Sequence, residues 1–310
     1  MRMVKTFDVL FLFGALLIGF GVSLWLSVWS PDALLRDPLP LYRQAAVASH
    51  PDATGKRRID EVRLLGPEGE TVRFSVSLPA TPPDHGLPSL VLLSPYQDPR
   101  RNLRYFPRPG PNVIISYAQP YDLSEWKSAS LIERGWIARR VAYRMPDSIS
   151  ALIAWVNRQD WADRKRINLA GIGPAAVILP AVRRRAASTG QSVGGSILAY
   201  GGIDIEAMAE AGLPIEPAWL RTAAAWLTWA MLRPLEPATH LPEIKGPFLL
   251  INARGDRTIP ERSLAGLRAL TPSPKTIATV SARRGDDPVH IAKTIRVARN
   301  WLVAQGLLDP

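Results

Sequence analysis

The sequence predicts an α/β fold with a mostly parallel central sheet flanked by helices. Three observations carry the prediction. Short apolar runs such as Ser89–Leu93 and Val113–Tyr117 have the length and composition of buried strands. Stretches of helical spacing separate the later runs, and strands alternating with helices pack as a parallel sheet covered on both faces. One stretch, residues 204–240, interrupts the alternation with helical, Trp-rich sequence (Trp219, Trp226, Trp229). It reads as a small helical cap inserted over the carboxyl edge of the sheet.

In chain order, Arg58–Leu65 and Thr71–Leu78 alternate like strands about the turn Gly66-Pro67-Glu68-Gly69, a hairpin signal. Ser89–Leu93 and Val113–Tyr117 follow as buried strands. Trp136–Tyr143 fits a third strand or part of a helix, and the register between residues 96 and 145 stays open. Ile149, Leu152, Ile153 and Val156 give Ser148–Arg158 a helical period. Ile167–Ala170 reads as a strand and Ala175–Ala187 as a helix, whose arginine-rich last turn suits its dipole. Gly195–Tyr200, Phe248–Asn252 and Thr276–Val280 are the remaining strands, and His290–Gln305 is a closing amphipathic helix.

Val9–Trp29 (VLFLFGALLIGFGVSLWLSVW) carries no charge, and about twenty apolar residues suffice to span a bilayer. Arg2 and Lys5 precede it and Trp25 and Trp29 stand near its far end, a pattern that keeps the N-terminus in the cytoplasm. The expectation is a single-pass anchor in the cytoplasmic (inner) membrane with the remaining chain on the periplasmic side. A cleaved signal peptide is the rival reading, but Trp25, Trp29 and Pro31 crowd the place of a small-residue cleavage site. The expected organisation is residues 1–30 as cytoplasmic N-terminus and transmembrane anchor, 31–57 as a linker or irregular arm, and 58–310 as the α/β domain.

Cysteine is absent, which excludes disulfides, a thiolate nucleophile and a cysteine zinc site. The net charge is +11 and the pI about 10.3. Arginines cluster at 100, 101, 104 and 108, at 139, 140 and 144, and at 183–185. These read as solvated faces or as a surface for anionic lipid or a protein partner. No nucleic-acid-binding motif accompanies them, so no nucleic-acid partner is expected. His50, His85 and His240 sit in Pro-containing stretches without metal-ligand spacing, and neither metal nor cofactor is implied.

The strand Ile167–Ala170 feeds Gly171-Ile172-Gly173-Pro174. This resembles the strand and Gly-x-Ser-x-Gly elbow of the α/β hydrolases, in particular the dienelactone-hydrolase and cutinase-like branch. Pro247–Pro260 (PFLLINARGDRTIP) resembles the segment that delivers the family's triad acid, with Asp256 in the acid position. His290 falls where the triad histidine stands, giving the order nucleophile, acid, histidine. Ser94-Pro95-Tyr96-Gln97 resembles the turn that supplies one oxyanion donor, at Tyr96 and Gln97. The resemblance covers about residues 58–305 and places Gly173 at the nucleophile and Pro174 at the other oxyanion donor. Glycine has no hydroxyl to attack with, and proline has no N–H.

Other readings of the same residues stay open. Gly171–Pro174 also fits an ordinary strand-to-helix turn, Asp256 a turn cap, and Asp256 with His290 a vestigial pair. The foremost functional expectation is therefore a membrane-anchored, catalytically inactive α/β-hydrolase-like protein that binds partners in a membrane complex. The alternative is a hydrolase of altered mechanism, with His290 and Asp256 acting as a dyad on a small ester or amide. A displaced serine nucleophile, Ser94 or Ser196, is the weakest reading, since neither stands on a glycine elbow.

Overall fold

The computed structural model describes residues 41–310 except 84, 94–97, 107, 108, 120, 122, 257 and 282–287, together with residues 14, 15, 18, 19, 21, 22 and 35. Among the described residues no helix is long and apolar enough to cross a membrane. Apart from those six residues between 14 and 22, the expected span Val9–Trp29 lies outside the described residues.

Nine strands form one sheet in the order β1-β2-β3-β5-β4-β6-β7-β8-β9. The predicted hairpin is β2 (Arg57–Leu65) and β3 (Thr71–Pro79), paired antiparallel. β3 also runs antiparallel to β5 (Val113–Tyr117). From β5 onward all neighbours are parallel, through β4 (Leu87–Leu93), β6 (Ala162–Ile172), β7 (Ser196–Ala199), β8 (Phe248–Arg254) and β9 (Lys275–Ser281). Every residue of β4, β5 and β7 is buried, as expected for parallel strands covered on both faces.

One reading needs correction, and one open choice is decided. The stretch taken as an irregular arm contains β1 (Arg43–Pro51), an edge strand antiparallel to β2 that holds His50. Eight of its nine residues are exposed, all but His50, so it carries no apolar alternation; its pairing comes from the backbone of β2. The segment Trp136–Tyr143 is helical, within α3 (Leu131–Val156), after the short α1 (Pro99–Leu103) and α2 (Leu123–Ser128). A reciprocal cap starts α3: Glu133 N–H donates to Ser130 Oγ at 3.3 Å, and Ser130 N–H to Glu133 Oε2 at 2.7 Å. Pro146 lies inside this helix and breaks the pattern in sequence, while the buried series Ile137, Val141, Met145, Ile149, Leu152 and Val156 continues through it.

α3 and α4 (Pro174–Ser188) contribute to the core on one face of the sheet, and α9 (Pro288–Ala304) to the core on the other. Residues 204–240 are helical: α5 (Ile205–Gly212), α6 (Ala218–Leu232), a 3-10 turn Arg233–Leu235 and α7 (Pro237–His240). α8 (Glu261–Leu270) follows β8. The arginines at 183–185 are not simply a solvated face. Arg183 and Arg185 are buried. Arg183 Nη1 donates to Ser196 Oγ at 2.5 Å, its Nη2 bonds the Lys245 carbonyl, and its guanidinium lies 5.1 Å from the Phe248 ring centre. Burial pulls Arg183 down to about 10. Arg185 Nε donates to Asp147 Oδ1 at 2.5 Å.

Candidate active site

In a parallel sheet all strands end on one edge, so the segments that follow β6, β7 and β8 converge there. Gly173 follows β6 with φ 60 and ψ −124, a conformation unfavourable to residues with a Cβ. Its N–H donates to the Ala199 carbonyl at 2.8 Å, and its own carbonyl accepts from Ala176 N–H at 2.9 Å. Pro174 opens α4, where its missing N–H costs the helix nothing. The turn is tight because Gly171 permits it: a Cβ there would stand 2.7 Å from the Ala175 carbonyl oxygen and 2.8 Å from Ala176 Cα. A Cβ on Gly173 would meet nothing within 4 Å. Among the described residues nothing stands over the elbow, which bears neither hydroxyl nor following N–H.

Asp256 follows β8 after Gly255 (φ 79). Its Oδ1 accepts from Thr258 N–H at 2.8 Å and from Thr258 Oγ1 at 2.6 Å. This is the turn-capping role anticipated for an aspartate, and both bonds use the same oxygen. His290 is the third residue of α9, which starts after β9; its side chain, with Tyr96, Gln97 and Ser94, falls outside the described residues. Ser196 does not qualify as a displaced nucleophile. It is the first residue of β7, at the amino end of the sheet, fully buried and bonded to Arg183. His240 is buried, with Nε2 2.7 Å from the Pro234 carbonyl.

Sequence reasoning missed three residues at this edge. Tyr200, just past β7, has φ 57, and its buried hydroxyl is hydrogen-bonded to Thr294 of α9. Burial raises its pKa, the Thr294 bond lowers it, and the charge of Asp256 raises it further. Asn252 of β8 is 4% exposed and has neither amide atom paired. The one signal in the sequence was Tyr200-Gly201-Gly202, a turn at a strand end. A cleft of about 570 Å³ opens near the start of α8, lined by Glu210 and Leu213, by Arg221 of α6, and by Pro260 and Arg262. Trp219 does not fill any such space, being 71% exposed.

Strand order, crossovers and elbow together define the α/β-hydrolase fold, here with the extra edge strand β1. Solved structures bear this out. The chain is similar to acetyl xylan esterase 1 from Thermoanaerobacterium sp. JW/SL YS485, with 13% identity and a TM-score of 0.58 over 85% of this chain and 92% of the other. It is similar to the acetyl xylan esterase from Paenibacillus sp. R4, with 11% identity and a TM-score of 0.61 over 90% and 93%. An esterase from Pyrobaculum calidifontis matches with 12% identity and a TM-score of 0.53 over 92% and 89%. At such identities the likeness is one of fold. Neither a protein-family model nor a curated protein matches the chain.

These findings correct the expectation of a membrane-anchored, inactive binding subunit. The structures that share the fold are named as esterases. The hydrolase alternative fits them better.

Proposed function

We propose that the chain is a hydrolase of small esters or amides in which water, rather than a side chain at residue 173, attacks the carbonyl. The observation that carries this reading is the elbow. The sharp turn at Gly173 (φ 60, ψ −124) is kept on the sheet edge where the Asp256 loop and the start of α9 also lie, together with Tyr200, whose φ of 57 is unfavourable for a residue with a Cβ. Backbone strain persists where its surroundings enforce it, and it clusters at active sites.

In this mechanism His290, oriented by Asp256, takes a proton from water as the oxygen attacks the substrate carbonyl. The tetrahedral intermediate then expels the alcohol or amine, which leaves with the proton held by His290. No acyl-enzyme forms at residue 173, and the water takes the place over Gly173 that a nucleophile side chain would fill. With Pro174 unable to donate, the positive end of α4 faces the developing oxyanion. The acetyl xylan esterases act, by name, on acetyl esters, so short acyl esters are the first substrates to test.

The test is release of p-nitrophenol from the acetate and butyrate esters by the purified full chain. Turnover should survive a fluorophosphonate and fall by about 10²–10⁴-fold in His290→Ala. Absence of turnover on esters and anilides, or full activity in His290→Ala, would overturn the reading. Stoichiometric fluorophosphonate labelling of a serine would overturn the water mechanism.

A further inference from the structure

We propose that Tyr200 is a positioning residue: through its bond to Thr294 it fixes the first turns of α9, and with them His290, against the elbow and the acid loop. The assignment rests on the hydrolase reading above, and it starts from a departure in β7. Successive strand residues face opposite sides of a sheet. Ile197 and Ala199 pack on the α9 face and Leu198 on the α3–α4 face, so Tyr200 should join Leu198. It packs instead on the α9 face, directly after Ala199. The left-handed backbone at Tyr200 (φ 57) makes this switch. An aromatic residue rarely occupies that region, and an outlier at a sheet edge points to function.

The switch delivers the Tyr200 hydroxyl to Thr294. Thr294 lies one helical turn beyond His290 in α9. The same residue is joined to the other two segments. The carbonyl preceding it, on Ala199, accepts the Gly173 N–H at 2.8 Å, and the Tyr200 N–H donates to the Ile251 carbonyl of β8 at 2.8 Å. Asp256 lies close enough for its charge to act on the phenol. The turn after it is held by close packing. A Cβ on Gly201 would stand 2.9 Å from Ala176 Cβ of α4, and one on Gly202 2.9 Å from Met208 Sδ of α5. One side chain therefore links α9 to a backbone fixed by both the elbow and the acid-bearing strand.

The experiment uses the full chain labelled with ¹³C-histidine, whose four ring signals are assigned with His290→Gln, alongside ester turnover. Tyr200→Phe and Thr294→Val should each shift the His290 signal while those of His50, His85 and His240 stay in place. Thr294→Ser, which keeps a hydroxyl, should return the signal to its wild-type position. Turnover in Tyr200→Phe should fall on the order of tenfold in kcat with KM little changed, the mark of lost orientation rather than lost binding. A His290 signal that superimposes on wild type in both variants overturns the assignment, as does an equal shift of all four histidines. If the wild type turns over no ester, the hydrolase reading fails by itself, and the signals still decide what Tyr200 does.

Discussion

Two buried asparagines lie towards opposite ends of the parallel strands and are treated differently. Asn168 of β6 is fully buried and fully used. Its Nδ2 donates to the carbonyls of Ser89 (3.1 Å), Arg166 (3.2 Å) and Leu307 (2.9 Å), and its Oδ1 accepts from Gly195 N–H at 2.7 Å. Asn252 of β8, four residues before Asp256, is nearly as buried and pairs neither amide atom. Nearby on the carboxyl edge, Gly173, Tyr200 and Asp204 all hold positive φ. One end of the sheet spends its polar groups on tying loops and chain terminus together. The other holds strain and unspent polarity, which is where an α/β sheet places its ligand crevice.

The comparison predicts unequal mutational costs. The largest belongs to Asn168→Leu. It keeps the volume but strands the Gly195 N–H and the Ser89 and Leu307 carbonyls in the interior, at about 1–3 kcal/mol for each group left unsatisfied. A total loss of about 4 kcal/mol should appear in urea as a lower midpoint with unchanged slope. A loss under about 1 kcal/mol would mean the frame is not held this way.

Gly171→Ala comes next. Its Cβ would collide with backbone of Ala175 and Ala176, which cannot rotate away, so α4 must lift from β6. Overpacking of this kind costs about 1–3 kcal/mol, and this site should lie at the upper end. The check is the same urea titration. A variant as stable as wild type would show that the elbow is looser than its contacts imply.

Legibility in the sequence followed the same divide. Strands buried on both faces, such as Ser89–Leu93 and Val113–Tyr117, declare themselves because burial leaves continuous apolar runs. The elbow was legible because Gly171, Gly173 and Pro174 are backbone requirements written as residue types. β1 was not, since RQAAVASHP has no apolar alternation and gains its structure from an edge it pairs with. Arg183 and Arg185 misled because charge reads as exposure, whereas their partners, Ser196, the Lys245 carbonyl and Asp147, are distant in sequence. Tyr200 and Thr294 are 94 residues apart, and no spacing rule joins them.

At Gly173 the two ends of the comparison meet. Gly173→Ser adds a side chain that meets nothing within 4 Å among the described residues, so the positive φ is what resists it, at about 1–3 kcal/mol. A thermal melt should show a cost below the one at Gly171 two residues earlier. The serine should not raise ester turnover above wild type, because its side chain enters the space proposed for the attacking water and Pro174 still withholds the N–H expected of an oxyanion donor. Turnover well above wild type from this single change would reveal a working serine nucleophile and another donor over the elbow.

The smallest effect has the opposite sign. Asn252→Leu preserves the volume and removes two polar atoms that have no partner. An amide buried without compensation costs about 1–3 kcal/mol in mutational series, and relaxation around the leucine recovers part of that. The variant should therefore be more stable than wild type by about 1 kcal/mol, read as a higher urea midpoint. If the amide is kept for the carboxyl edge's chemistry, ester turnover should fall as stability rises, the exchange expected where activity requires a destabilising residue. Leucine at 252 that destabilises the chain as much as leucine at 168 would erase the difference between the two asparagines. The carboxyl edge would then be as fully bonded as the amino end, and its unspent polarity could no longer mark it as the working edge.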